Sequence, residues 1–355
     1  MSEDAPPGID VAAVSRFFAE RVPGGDAPLR FALIAGGRSN LTYRVHAGPR
    51  RFVLRRPPLG HVLPTAHDMT REFRVLAALT DTGLPSPRPY ALCEDPSVNG
   101  APFYVMEDRP GVVISDRLPE GYAATEGERR RLCEAFVHTL AALHAVDVGA
   151  VGLSDFGRPE GYLERQVRRW AQQWERSKVD ELTAIDALAA RLRAALPRGP
   201  VPTLVHGDYR LGNVAFAPDD AGRLVAIYDW EMATLGDPLA DLGYALVYWS
   251  EPGDEAAAGA TGVLGAVTAQ PGFLSRAELV EAYARASGRS VQRIDFYQVL
   301  ALYKLAVIAE GIYARYLQGK TAGEGFAGLT RESPRIAARA LAIADASSDP
   351  ALRGA

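Results

Sequence analysis

Lysine is nearly missing from this chain. Its 355 residues carry three, Lys178, Lys304 and Lys320, so a cation serving a ligand in the first half must be arginine. Cysteine is as scarce, and Cys93 and Cys133 are too few for a disulfide framework or a zinc cluster. Positive charge has no surplus either. A formal net charge of −4 argues against a broad nucleic-acid footprint, while leaving room for one local basic pocket. No uninterrupted apolar run approaches the ~18 residues that a membrane span needs. The opening MSEDAPPGID is acidic and proline-rich, with no apolar signal core. The expectation is a soluble, cytoplasmic protein with neither nucleic acid nor membrane as partner. Hydrophobic residues at 48% and charged residues at 23% fit a folded globule, and the length favours two units sharing a cleft.

What is present is concentrated in two stretches: residues 205–213, Val-His-Gly-Asp-Tyr-Arg-Leu-Gly-Asn, and residues 226–231, Ala-Ile-Tyr-Asp-Trp-Glu. Asp208 and Asn213 lie five positions apart on one loop, and Asp229 follows a hairpin-length return through the turn at 218–222. Phosphoryl transfer from a nucleotide calls for such a set. One carboxylate orients the attacking hydroxyl and takes its proton, while an amide oxygen and a second carboxylate hold Mg²⁺ against the phosphates. Asp208 takes the first role; Asn213 and Asp229 take the second. The alternative is a polar turn whose Asp208 and Asn213 bond only local backbone. The order resembles that of protein kinases, which carry His-Arg-Asp with Asn five residues on and then Asp-Phe-Gly. With Gly207 and Trp230 in place, it resembles more closely the aminoglycoside phosphotransferase and choline kinase superfamily, which phosphorylates small molecules.

The rest of the chain falls in kinase order. Residues 10–21 place Val11, Val14, Phe17 and Phe18 on one helical face. A strand at 30–35 runs into Gly36, Gly37, Arg38, Ser39 and Asn40, and Leu41, Tyr43 and Val45 alternate as a second strand; the resemblance implies that the loop covers the phosphates. The third strand, 51–55, brings Arg55 to the place of the kinase lysine that clamps the α- and β-phosphates, a departure from the pattern because an arginine fork has a different reach. A helix at 68–81 offers Glu72 as the partner that orients Arg55, or else as a solvated acid beside Arg71 and Arg74. Strands near 90–93 and 103–107 lead to a hinge at 105–108, where Glu107 falls at the adenine position. Beyond it the composition turns helical, over 128–146, 161–179 and 293–317. His138 and His144 read as satisfied helix histidines, since a spacing of six puts them on nearly opposite faces. Arg165 and Arg169 on one helix, with Lys304 and Arg315 on another, are either solvated faces or the cationic wall of an acceptor pocket. His206 reads as a buttress of its turn, Asp237 as an N-cap and Asp241 as a brace of the catalytic loop. Residues 253–272 read as a mobile loop or lid, and the tail from 347 as frayed.

The resemblance covers residues 30–320. It is narrowest to the kinase-like domain found fused to acyl-CoA dehydrogenases, on Gly-Gly-Arg-Ser-Asn-Leu-Thr-Tyr, on Leu63-Pro64-Thr65-Ala66-His67 leading into residues 71–76, and on the two catalytic stretches. It implies an α+β, bilobal protein kinase-like fold, with a small antiparallel-sheet lobe over residues 1–108 and a larger, mostly helical lobe over 109–346. The implied activity is transfer of the γ-phosphoryl group of ATP, with Mg²⁺, to a hydroxyl of a small molecule, a hydroxy acid or hydroxyacyl-CoA. Two competitors stand beside it: a nucleotide-binding module without catalysis, and an antibiotic phosphotransferase. The arginine-bearing helix and the Lys304/Arg315 stripe favour an anionic acceptor over a polycationic aminoglycoside.

Overall fold

The computed structural model describes residues 6–34, 40–59, 67–198, 201–254, 266–319 and 332–354. Two compact units emerge, one of Met1–Gly111 with Val225–Ala233, the other of Val112–Leu224 with Thr234–Ala355. The boundary expected at 108/109 therefore falls three residues later. A correction matters more: the segment bearing Asp229, expected in the helical lobe, groups with the N-terminal unit. Tertiary contacts decide this, and they are invisible to composition.

In the first unit the order is α1 (Val11–Arg21), β1 (Leu29–Leu33), β2 (Leu41–Ala47), β3 (Arg50–Arg56), α2 (Met69–Leu79), β4 (Pro89–Cys93), α3 (Pro96–Asn99) and β5 (Phe103–Glu107). The strands form one antiparallel sheet in the order β1-β2-β3-β5-β4. Strand alternation sends Tyr43, Val45, Phe52, Leu54, Phe103 and Val105 to one face, where Val14 and Phe18 of α1 complete the core. Phe18 is fully buried, and such burial contributes about 1.5–3 kcal/mol. Val11, expected on the same stripe, is exposed, and the helix seats on Val14 and Phe18 with Phe17 edge-on to Phe103. Asp10 caps α1 by accepting from the Ala13 N–H at 2.9 Å. The buried stripe of α2 is Met69, Glu72, Val75, Leu76 and Leu79, with one acid among four apolar side chains.

The second unit holds β6 (Val112–Val113), α4 (Glu126–His144), α5 (Tyr162–Ser177), α6 (Thr183–Ala194), β7 (Thr203–Val205), β8 (Val214–Ala217), β9 (Asp220–Ile227), β10 (Thr234–Gly236), α7 (Pro238–Val247), α8 (Arg276–Ser287), α9 (Ile294–Leu317), α10 (Glu332–Asp345) and α11 (Pro350–Arg353); the last residues of β9 enter the first unit. Strand β10 pairs with β7, and β6-β8-β9 make a second small sheet. Helix α9 packs against α5, α6, α7 and α10. Gly243 of α7 lets α9 approach closely, since a Cβ there would lie 2.7 Å from the Tyr297 carbonyl carbon. Among the described residues α9 alone is long and apolar enough to cross a membrane, yet 72% of its apolar window is buried inside the protein, as befits a core helix.

The tail needs a second correction. Asp349 caps α11 by accepting from Ala351 N–H at 3.0 Å, Pro350 opens the helix, Leu352 is fully buried and Arg293 pairs with Asp349. A cap, a buried anchor and an ion pair hold what composition reads as frayed. The expected lid at 253–272 lies largely outside the described residues; its far end is packed, with Thr268 Oγ1 accepting from the Ser250 N–H at 2.7 Å.

Candidate active site

The first unit contributes a buried charge cluster on the sheet face away from α1. Arg55 of β3 stands in register with Thr42 and Tyr104. Its Nε lies 2.9 Å from Glu72 Oε2 in an ion pair, and the Tyr104 hydroxyl donates to the same oxygen at 2.9 Å. The expected Arg55–Glu72 pair is therefore formed, and Glu72 is buried rather than solvated. Arg55 Nη2 reaches Asp229 Oδ1 at 2.5 Å, with Glu231 Oε2 3.6 Å away. Asn40 Nδ2 ties the same acids together, donating to Glu72 Oε1 at 3.1 Å and to Glu231 Oε2 at 3.0 Å. Arg56 points to the other face, donating to the Gly8 and Asn99 carbonyls. Burial pushes the Glu72 carboxyl up, to about 7, against the pull of Arg55 and the Tyr104 hydrogen bond. Burial works against the charge of Arg55, but Glu72, Tyr104, Asp229 and Glu231 outweigh it and raise its pKa.

Asp229, two residues past the end of β9, has φ of 65°, a left-handed conformation that costs a non-glycine residue about 1–3 kcal/mol. Asp and Asn tolerate it best. Gly36, Gly37, Arg38 and Ser39 lie outside the described residues. Glu107 is turned to its own neighbourhood, its Oε2 accepting from Arg88 N–H at 3.1 Å and from Arg109 Nε at 2.8 Å.

In the second unit the loop after β7 carries the other group. Asp241 of α7 pins this loop, accepting from the backbone N–H of His206 at 2.6 Å and of Gly207 at 2.7 Å. Buried His144 stands behind it, with Nε2 3.2 Å from Asp241 Oδ2 and Nδ1 2.7 Å from the Tyr283 hydroxyl. Burial alone would raise the Asp241 carboxyl; the bond from His144 and the surrounding donors hold it below the usual range instead. Asn213 Nδ2 donates to Asp208 Oδ2 at 2.6 Å and to the Asp208 carbonyl at 2.9 Å. Arg210 Nε sits 3.4 Å from Asp208 Oδ1. The motif's acid and amide are thus in contact, on a loop clamped from below.

Beside this loop the cations separate. Lys304 donates to the Gly207 carbonyl at 3.0 Å, with its ammonium 4.4 Å from the Tyr244 ring centroid and 5.8 Å from that of Trp170. Burial lowers its pKa, against the pull of Asp208 and Asp241. Arg169 lies over the same Trp170 ring, at 5.7 Å. Arg165 is folded onto the carbonyls of Arg158 and Glu160, and Arg315, exposed, stands in the last turn of α9, roughly 16 Å beyond Lys304 along the axis. A cavity of about 40 Å³, room for a few waters, is lined by Lys304, Trp170, Tyr162, Tyr244 and Gly207 among others.

For Mg²⁺ the fit is one of donor chemistry. Asn213 commits its NH₂ to Asp208 and so keeps an amide oxygen for other partners, and Asp229 carries a carboxylate; both are the hard oxygens that Mg²⁺ takes. No group of three or more His, Cys, Asp or Glu able to hold a metal stands among the described residues, and Mg²⁺ on one or two protein oxygens plus phosphates needs none.

A sheet unit with a buried Arg–Glu pair, and a helical unit with Asp and Asn on a clamped loop, define a protein kinase-like fold. The family model described as "Phosphotransferase enzyme family" matches residues 30–297, and the chain belongs to that family. It is 36% identical over 325 residues to Acyl-CoA dehydrogenase family member 11 of Gallus gallus, covering 89% of this chain and 41% of the relative. The chain thus spans about two-fifths of the length of the curated relatives it matches. A Ralstonia eutropha protein provisionally assigned as an aminoglycoside phosphotransferase superposes with a TM-score of 0.81 at 32% identity, covering 96% of this chain and all of that one. An aminoglycoside phosphotransferase in ternary complex with AMP-PNP and hygromycin B gives 0.59 at 16% identity, over 92% and 97% of the two chains, and shows the shared fold.

Proposed function

We propose that this chain moves the γ-phosphoryl group of ATP to a hydroxyl of a small anionic molecule, a hydroxy acid or hydroxyacyl-CoA. The observation that carries the reading is Asp208, held by Asn213 on a loop whose backbone is clamped by Asp241. A carboxylate fixed in this way orients a hydroxyl and accepts its proton as the new bond forms. Arg55, steered by Glu72, binds phosphate oxygens; Asn213 and Asp229 would hold Mg²⁺. The ion, when bound, neutralises charge on the phosphates. Lys304 and Arg169 beside Trp170 supply the positive wall that an anionic acceptor meets and a polycationic aminoglycoside does not want. The acyl-CoA part of the reading rests on the relatives' names alone.

The test is ADP release with Mg-ATP across a panel of short hydroxy acids, their CoA thioesters and an aminoglycoside. Acceptor-dependent ADP with an acid or thioester supports the reading, and turnover of the aminoglycoside alone sinks it. One observation favours a second reading, nucleotide binding without transfer: arginine occupies the lysine position and engages Asp229. That reading expects a Mg-ATP thermal shift with no acceptor-dependent ADP.

A further inference from the structure

The peptide joining Gly207 to Asp208 sets the direction in which the base leaves the backbone. Its N–H donates to His206 Nδ1 at 3.2 Å, a bond internal to the loop. Its carbonyl is held from outside: Lys304 of α9, 97 positions on, donates to it at 3.0 Å. The preceding N–H, that of Gly207, goes to Asp241 of α7 at 2.7 Å. Gly207 sits at φ of 82°, and a glycine brings no side chain of its own to steady the turn.

Lys304 stands in an unfavourable place for a cation. From Phe296 to Val307 it is the only charged residue, with Leu300, Ala301 and Val307 buried beside it on the same helix face. Among the described residues it makes no ion pair, and the Gly207 carbonyl is its one hydrogen-bond partner. Beyond that carbonyl stand the rings of Tyr244, 4.4 Å away, and Trp170, 5.8 Å away. An ammonium taken out of water without a carboxylate partner is destabilising, and an apolar side chain of similar length fills such a place at lower cost. What the charge adds is the bond to the loop.

We propose that Lys304 is a positioning residue for the base: from helix α9 it holds the carbonyl of the Gly207–Asp208 peptide, and so the direction in which the Asp208 side chain leaves the loop. This rests on the phosphotransferase reading for its consequence in turnover, but not for the contact itself. Asp241 fixes the turn from α7 and Lys304 fixes it from α9, so the loop cannot pivot on either helix alone. Lys304 has two further protons, which leaves it able to face an anionic acceptor as well. It donates a hydrogen bond and takes part in no covalent step.

The test makes three measurements on Lys304→Met, which keeps the length of the side chain and leaves the carbonyl to water from the adjoining cavity. In steady-state turnover, loss of a hydrogen bond from a charged donor lowers kcat by roughly ten- to hundredfold, with KM for ATP unmoved. In thermal unfolding the midpoint stays within roughly 3 °C of the parent or rises, because the cation holds the loop and not the core. In native-state hydrogen exchange the Gly207 and Asp208 amides exchange at least roughly tenfold faster, while those of Ala306 and Val307 in α9 keep their parental rates. A parent-like kcat with a raised KM for the acceptor makes Lys304 an acceptor cation alone and overturns the proposal. A midpoint lowered further than that window makes it a structural cation and does the same, as do unchanged rates at Gly207 and Asp208. If the parent turns over no acceptor, the phosphotransferase reading falls, and the exchange rates still decide whether Lys304 holds the loop.

Discussion

The guanidinium of Arg55 lies 2.5 Å from the carboxylate of Asp229, the acid expected to face the metal. One side chain thus answers to Glu72, to Asp229 and, more distantly, to Glu231. Arg55 is a shared counter-charge for three acids, and any phosphate it binds competes with them.

That arrangement makes Arg55 a stability residue. Arg55→Ala removes the cation paired with Glu72, which is 1% exposed, and leaves that acid beside Asp229 and Glu231. Removing one partner of a buried pair costs about 3–5 kcal/mol. Denaturant unfolding at pH 8 should show this loss, with Arg55→Lys recovering part of it. An unchanged midpoint for Arg55→Ala contradicts the pairing.

Asp229→Asn keeps a residue that tolerates the left-handed backbone and removes the carboxylate. The protein should melt close to the parent without ligand. Mg-ATP at ~100 times its Kd should stabilise the parent by about 2.7 kcal/mol. The variant is expected to lose that metal-dependent gain, and a retained gain would remove Asp229 from the metal site.

Glu72 predicts a pH dependence of unexpected sign for a carboxylate. Its pKa rises from 4.5 to about 7 on folding, so the folded state holds the proton more tightly. The contribution is full below about 4.5 and is lost as pH rises through about 7, with a slope of at most about 1.4 kcal/mol per pH unit. Unfolding free energies between pH 5 and 8 should fall more steeply in the parent than in Glu72→Gln. Identical slopes refute the assignment.

Asp208→Ala should lower turnover by roughly 10²–10⁴, measured as ADP release with the best acceptor found. Near-parental activity would show that another group takes the proton.

Motif order carried the Arg55–Glu72 pair and the placing of Asp208 and Asn213 on one loop; that Asn213 donates to the Asp208 carboxylate came only with the structure. It could not carry Asn40 to Glu231, which lie 191 positions apart and meet only because residues 225–233 rejoin the first unit. Glu231 had a faint signal, an acid two positions after Asp229. Arg210 entered only with the folded loop, where its Nε comes 3.4 Å from Asp208 Oδ1. Some helix starts were legible in hindsight. The capping boxes Thr125/Glu128 and Ser275/Glu278 set the starts of α4 and α8 by side-chain chemistry that hydrophobic periodicity does not register.

The discontinuity of the first unit also has a consequence during synthesis. Its first stretch ends at Gly111 and its last at Ala233, so 233 − 111 = 122 residues separate them. At about 5–20 residues per second, the sheet waits roughly 6–24 s for the strand end and the 229–233 turn that complete its charge cluster. Until then Arg55 and Glu72 have each other but not Asp229 or Glu231. A ribosome-stalled or genetically truncated fragment ending near residue 111 should therefore be a poor stand-in for this unit, whereas one reaching past residue 233 carries every piece of it.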